Sequence, residues 1–273
     1  MSIRERAIGL IGGYSPPLLW WRAKRPRWAW EIHSQFGKPT SRYVDQQGLS
    51  IGRGGFEGLR FPPEAIGHTN YLGAKLAGVY EPEVVEFLAG QADSHELFVD
   101  LGSGDGFFLT GLGRLNPQLR LIGYEVNRYE RDLAARIAEA NGVSAEFRSL
   151  ADQRELKGLP AGKLLLLCDL EGLEEDLLDP DDVDRLREAT MLVEAHSQFR
   201  PDVVPTLTSR FEKTHEVNYF SSSRTDPGTL PELADWPREE SEIVLNDGHD
   251  ASEGWMTFVP RHEPVRGGDS GAR

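Results

Sequence analysis

The chain has 273 residues, 39% of them apolar, a single cysteine and a formal net charge of −14. That length can bury one substantial core, the lone Cys168 excludes an internal disulfide framework and any CxxC zinc or redox pair, and the acidic balance argues against nucleic acid as a partner. The stretch from Ala7 to Trp21 is broken by Gly9, Gly12, Gly13, Pro16 and Pro17 and makes a poor membrane span, so the expectation is a protein of the cytoplasm.

The first 60 residues hold ten Lys and Arg against four Asp and Glu, whereas the remainder holds twenty against forty. Trp20, Trp21, Trp28 and Trp30 stand among Arg22, Lys24, Arg25 and Arg27. This mixture suits peripheral contact with an anionic membrane surface or an acidic partner. It equally suits rings and long cationic stems that pack an extension onto its own domain. Residues 1–78 are read as that N-terminal extension, and the glycine density from Gly48 to Gly58 predicts a hairpin or loop that could serve as a substrate lid.

Regular patterning begins near Glu81 and defines a main domain over residues 79–266. Pro82 introduces a short amphipathic helix through Glu83–Leu88. Leu97–Leu101 reads as a buried strand, Phe107–Leu115 as the helix after a glycine-rich turn, and Leu119–Tyr124 as a second strand. Tyr129–Ala140 is a helix stopped by Asn141-Gly142, and Ala145–Arg148 is a third strand. Lys163–Cys168 has no polar face and is short, as a central parallel strand should be. A helix over Asp182–Glu188, a strand over Thr190–Ala195 and a helix over Val203–Phe211 follow. Strands around Val217–Phe220 and Trp255–Val259 close the sheet, one of them as an antiparallel edge. The fold expected is a Rossmann-like, doubly wound α/β domain on a mainly parallel seven-stranded sheet. Residues 267–273 are expected to form a disordered tail.

The most informative segment is Val99-Asp-Leu-Gly-Ser-Gly-Asp-Gly106, a strand ending in Asp100 that runs into Gly102-x-Gly104-x-Gly106. Such glycines let the backbone turn tightly and approach a ligand at the carboxyl ends of parallel strands. Phe107 occupies the place of the third glycine of a dinucleotide fingerprint. An acid at Asp100 repels a pyrophosphate but attracts an ammonium. The alternative is that Asp100 caps the following helix and that Glu125, at the end of Leu121–Glu125, is a solvated strand-end acid.

The segment resembles the first motif of the class I S-adenosylmethionine methyltransferases, over roughly residues 79–200. The resemblance implies that Asp100, Gly102, Ser103, Gly104, Gly106 and Phe107 surround the amino-acid part of S-adenosylmethionine. Glu125 would take the ribose hydroxyls, with Val126 and Asn127 flanking ribose or adenine. The adenine contact after the third strand would fall within Ser149–Asp152, at Ala151. Gly55-Phe56 with Gly58, and Leu76–Glu81, are similar to the upstream segment of FkbM-like methyltransferases, which makes Tyr80 and Glu81 candidate pocket residues; packing and helix initiation are the alternative.

Methyl transfer needs an aligned acceptor, water exclusion and, for a hydroxyl, a base. Cys168-Asp-Leu-Glu-Gly172 and Val193-Glu-Ala-His196 end the fourth and fifth strands and resemble D-x-E-G and E-x-H elements of the FkbM-like group, which is associated largely with O-methylation. Asp169 and Glu171 are read as lining the reactive centre and His196 as a general base titrating near neutral pH, with Glu194 able to orient a neighbour; helix capping, solvation and a structural histidine are the alternatives. An acidic pair with a histidine suits Mg²⁺, which some sugar and catechol methyltransferases use, yet the spacing selects no metal. The expected acceptor is a carbohydrate or small-molecule hydroxyl. A protein or lipid-associated acceptor, or a non-catalytic binder of S-adenosylmethionine, stands as the alternative, and the oligomeric state is not readable.

Overall fold

The computed structural model describes residues 27–247 and 254–261, with residues 27–36 as backbone only. The Trp20, Trp21 and Arg22–Arg25 cluster and the 267–273 tail lie outside the described residues, as do the side chains of Trp28 and Trp30. Period-two burial builds a central sheet from strands whose every second side chain faces one of two cores. In β4 (Leu164–Cys168), Leu165 and Leu167 join one cluster while Leu164, Leu166 and Cys168 join the other. All five are buried, so neither sheet face meets water here.

The strands are β1 (Leu97–Leu101), β2 (Arg120–Tyr124), β3 (Glu146–Arg148), β4, β5 (Thr190–Ala195), β6 (His215–Phe220) and β7 (Gly254–Pro260). Their order across the sheet is β3-β2-β1-β4-β5-β7-β6. β1 to β5 pair in parallel, and β7 runs antiparallel to both β5 and β6. The expected Rossmann-like doubly wound sheet is therefore present, with the antiparallel strand one place in from the edge. The chain leaves β1 toward β2 and β3, then returns to β4 on the other side. That reversal opens a crevice at the carboxyl ends of β1 and β4.

On one face, α3 (Pro82–Gln91), α4 (Phe107–Leu115) and α5 (Arg128–Ala140) bury Val84, Leu88, Leu109, Leu112, Leu133 and Ile137. On the other, α8 (Val203–Phe211) buries Val203, Leu207 and Phe211. Further helices are α1 (Arg27–Gln47), α2 (Leu72–Leu76), α6 (Gln153–Lys157), α7 (Glu174–Leu177) and α9 (Arg238–Val244). The expected helix over Asp182–Glu188 is a 3₁₀ turn over Asp184–Glu188, because Ala189 is already extended on its way into β5. Gly48–Gly58 forms a narrow loop, tied off by an antiparallel bridge between Ser50 and Arg60.

Residues of the extension enter the main core: Tyr43, Ile51, Phe56, Leu59 and Phe61 are all buried there. Phe56 meets Phe107 edge-on at 5.3 Å. Arg53 Nη2 and the Tyr43 hydroxyl reach Glu232 at 2.6 and 3.2 Å, and the Arg42 guanidinium lies 3.9 Å from the Trp236 ring centre. Among the described residues no helix is long and apolar enough to cross a membrane.

Candidate cofactor and catalytic site

The loop between β1 and α4 is shaped by close approach. Gly102 has φ of 92°, and a Cβ there would lie 1.8 Å from the Asp169 carbonyl oxygen, so only glycine lets the ends of β1 and β4 meet. Gly106, at φ of 74°, similarly lets the loop rest on Ala134 of α5. The amides of Gly102 and Ser103 both donate to the Tyr124 carbonyl, at 2.8 and 3.0 Å, which ties the loop to the end of β2.

Asp100 lies beneath this loop at 1% exposure, and its Oδ2 has no hydrogen-bond partner. It does not cap α4; the Phe107 amide donates instead to Asp105 Oδ1 at 3.3 Å. Burial, with the nearby charges of Asp169, Glu125, Asp105 and Glu81, pushes the Asp100 carboxyl well above its ordinary range. A cation delivered to this spot relieves both costs.

Glu125 is oriented by backbone. Its Oε2 accepts from the Gly104 amide at 3.1 Å and its Oε1 from the Asn127 amide at 2.7 Å, leaving each oxygen a further lone pair. Burial raises its pKa. Asn127 also caps α5 by accepting from the Tyr129 amide at 3.0 Å.

A cavity of about 580 Å³ runs along this crevice. Of the residues read from the sequence, Tyr80, Gly102, Ser103, Gly104, Phe107, Glu125, Val126, Asn127, Ala151, Asp169 and Glu171 line it. Asp100, Gly106 and His196 do not line it. Glu81 does not line it either; the residue is 4% exposed and initiates α3. Asp152, at the end of the proposed adenine segment, is a helix cap that accepts from the Glu155 amide at 2.8 Å.

Sequence reasoning missed four residues here. Lys75 and Asp105 form a buried pair at 2.8 Å, with the Lys75 ammonium 5.0 Å from the Tyr80 ring centre. Tyr71 stacks on Tyr80 at 5.8 Å. Glu174 is fully buried, and its Oε1 meets His196 Nδ1 at 2.7 Å and accepts from the Gly172 amide at 3.0 Å. Lys75 and Tyr71 carry no local signal, whereas Glu174 sits three residues after Glu171, inside the acidic run Glu174-Glu175-Asp176 that hides it.

The other end of the cavity is a carboxylate and histidine cluster. His196 is 2% exposed, and its Nε2 faces Glu171 at 3.5 Å, Asp169 at 3.6 Å and Glu194 at 3.7 Å. Burial pulls the imidazole pKa down, but the Glu174 hydrogen bond and the charges of Asp169 and Glu171 outweigh it and bring it to about 9 rather than near neutral. Burial, opposed by the charge of His196, pushes Asp169 up to about 7. His215 belongs elsewhere: it starts β6, is fully buried and has Nε2 2.9 Å from the Ala189 carbonyl.

No family model and no curated protein matches the chain. Solved structures do. A methyltransferase from Geobacter sulfurreducens is 12% identical, with 64% of this chain and 76% of that chain covered at a TM-score of 0.40. A precorrin-6y C5,15-methyltransferase from Geobacter metallireducens is 16% identical, with 50% and 74% covered and a TM-score of 0.40. A tRNA (uracil-54, C5)-methyltransferase from Pyrococcus abyssi, in complex with S-adenosyl-L-homocysteine, is 15% identical, with 66% and 38% covered and a TM-score of 0.41.

Proposed function

We propose that the protein is an S-adenosylmethionine-dependent methyltransferase of the class I, FkbM-like kind, acting in the cytoplasm on a hydroxyl of a carbohydrate or small molecule. The observation that carries this reading is the continuity of one cavity, which joins the glycine loop and Glu125 to Asp169 and Glu171. The residues fit the cofactor. Asp100 offers a buried oxygen without a partner to an ammonium, and Glu125 holds two backbone-oriented oxygens toward a vicinal diol. Val126 and Ala151 supply apolar surface for a base. A pyrophosphate would instead meet the acids Asp100, Asp105 and Glu125.

When bound, the sulfonium supplies an activated methyl group; the protein has to align the acceptor and move one proton. Asp169 accepts that proton, Glu171 and Glu194 add negative charge around it, and His196, held by Glu174, fixes the position of the cluster. Tyr71, Tyr80, Phe107 and Phe108 give the same cavity apolar ring faces of the kind that pack against a sugar.

The test is transfer of a labelled methyl group to a panel of glycosides and small hydroxyl compounds. Turnover is expected with the wild-type chain and should fall by about 100-fold or more in Asp169→Asn, while affinity for S-adenosylmethionine is kept. Transfer only to protein or lipid fractions would replace the acceptor class, and undiminished turnover in Asp169→Asn would remove its role as base.

A further inference from the structure

A second cavity, of about 360 Å³, adjoins the first. Lys75, Tyr80 and Phe107 line both, so these three side chains stand between the two spaces. The loop within Gly48–Gly58 contributes Ile51, Gly55 and Phe56 to the second cavity, and α3 contributes Val85 and Ala89. Close approach of bare backbone shapes it. A Cβ on Gly78, at φ of 69°, would lie 2.3 Å from the Arg53 carbonyl oxygen, and one on Gly55 would lie 2.7 Å from Val85 Cγ1, so glycine lets the loop rest directly on its neighbours.

The lining selects by chemistry. Three rings converge on the space: Phe107 meets Phe56 edge-on at 5.3 Å and Tyr80 at 5.5 Å, with planes 88° apart in the second pair. Rings so disposed favour another ring, because edge and face carry opposite partial charge. An ionic group gains little here. Both cations of the described lining are already paired, Arg53 with Glu232 at 2.6 Å and Lys75 with Asp105 at 2.8 Å, and Glu86 is exposed, where an ion pair contributes little.

We infer that this second cavity is a binding site for a neutral aromatic compound. An apolar cavity of about 150 Å³ holds a benzene molecule, so the volume here suits roughly two fused rings. Phe56, Val85 and Ile51 supply the apolar contact, and the shared Tyr80 and Phe107 bring the ligand against the wall of the cofactor cavity. Binding at this cavity stands independently of methyl transfer.

The experiment titrates 2-naphthol into the full chain by calorimetry, with its saturated counterpart decahydro-2-naphthol as the comparison of equal size. One saturable site per chain is expected for 2-naphthol, with the saturated compound weaker by about threefold or more. Ala89 is only partly buried and lines the cavity, so Ala89→Phe fills the space from α3 and should lower affinity at least about tenfold. Ala89→Leu, a smaller intrusion, should also lower it and keeps the comparison if the first variant does not fold. Leu115→Ala, at an apolar side chain that is exposed elsewhere on the surface, leaves affinity unchanged. Absence of saturable binding at millimolar 2-naphthol, or unchanged affinity in a folded Ala89 variant, overturns the site; equal affinity for the saturated compound overturns the aromatic class.

Discussion

Asp100 illustrates a residue kept at a cost to the folded chain. Its carboxylate is 1% exposed, lacks a partner at Oδ2 and lies near four other acids. Asp100→Asn removes the charge with little change of shape. We predict a higher melting temperature for this variant in the absence of ligand, measured by thermal unfolding, together with a loss of at least about tenfold in affinity for S-adenosylmethionine. The sequence shows this residue because Asp100 ends a strand before Gly102-x-Gly104. It could not show Glu174, whose importance comes from burial against His196, 22 positions away. Nor could it show Lys75, which pairs with Asp105 across 30 positions. Partners so distant leave no spacing to read.

At the scale of elements, β1, β4 and β5 were legible because burial on both faces of the sheet produces unbroken apolar runs, such as Leu164–Cys168, and α3, α4, α5 and α8 because they are long enough for a helical period to register. α1 was not, since Gly37 and Pro39 interrupt it and read as breakers, yet the helix continues through them. α2, α6, α7 and α9 span only four to seven residues each, too few for a helical period to register. The β6 strand is anchored by His215, whose Nε2 lies 2.9 Å from the Ala189 carbonyl just before β5. Burial lowers the His215 pKa below its ordinary 6.5, so the unfolded chain takes up the proton more readily than the folded one. The stability from this neutral imidazole is present above about pH 6.5 and is lost as pH falls from there through the folded pKa. Urea unfolding of wild type and His215→Asn should therefore differ most near pH 8 and converge toward pH 5; a gap that widens on acidification would contradict this.

Across the whole molecule, the site follows from which strands neighbour β1 in the sheet. The strand reversal beside β1 creates the crevice, the glycine loop and Glu125 line its cavity together with Asp169 and Glu171 after β4, and His196 after β5 stands 3.6 Å from Asp169. The described part of the extension packs on the same core through Phe56 and joins Arg53 to Glu232, whereas the choice between self-packing and an outside partner for the Trp20–Trp30 cluster falls on side chains outside the described residues. The proposed function requires this crevice to select a sulfonium amino acid over a dinucleotide. Isothermal titration with S-adenosylmethionine, S-adenosylhomocysteine and NAD tests it most directly. Saturable binding of the first two, abolished in Asp100→Ala, and none of NAD is expected; failure of both to bind the folded chain, or tighter binding of NAD, would overturn the proposed function.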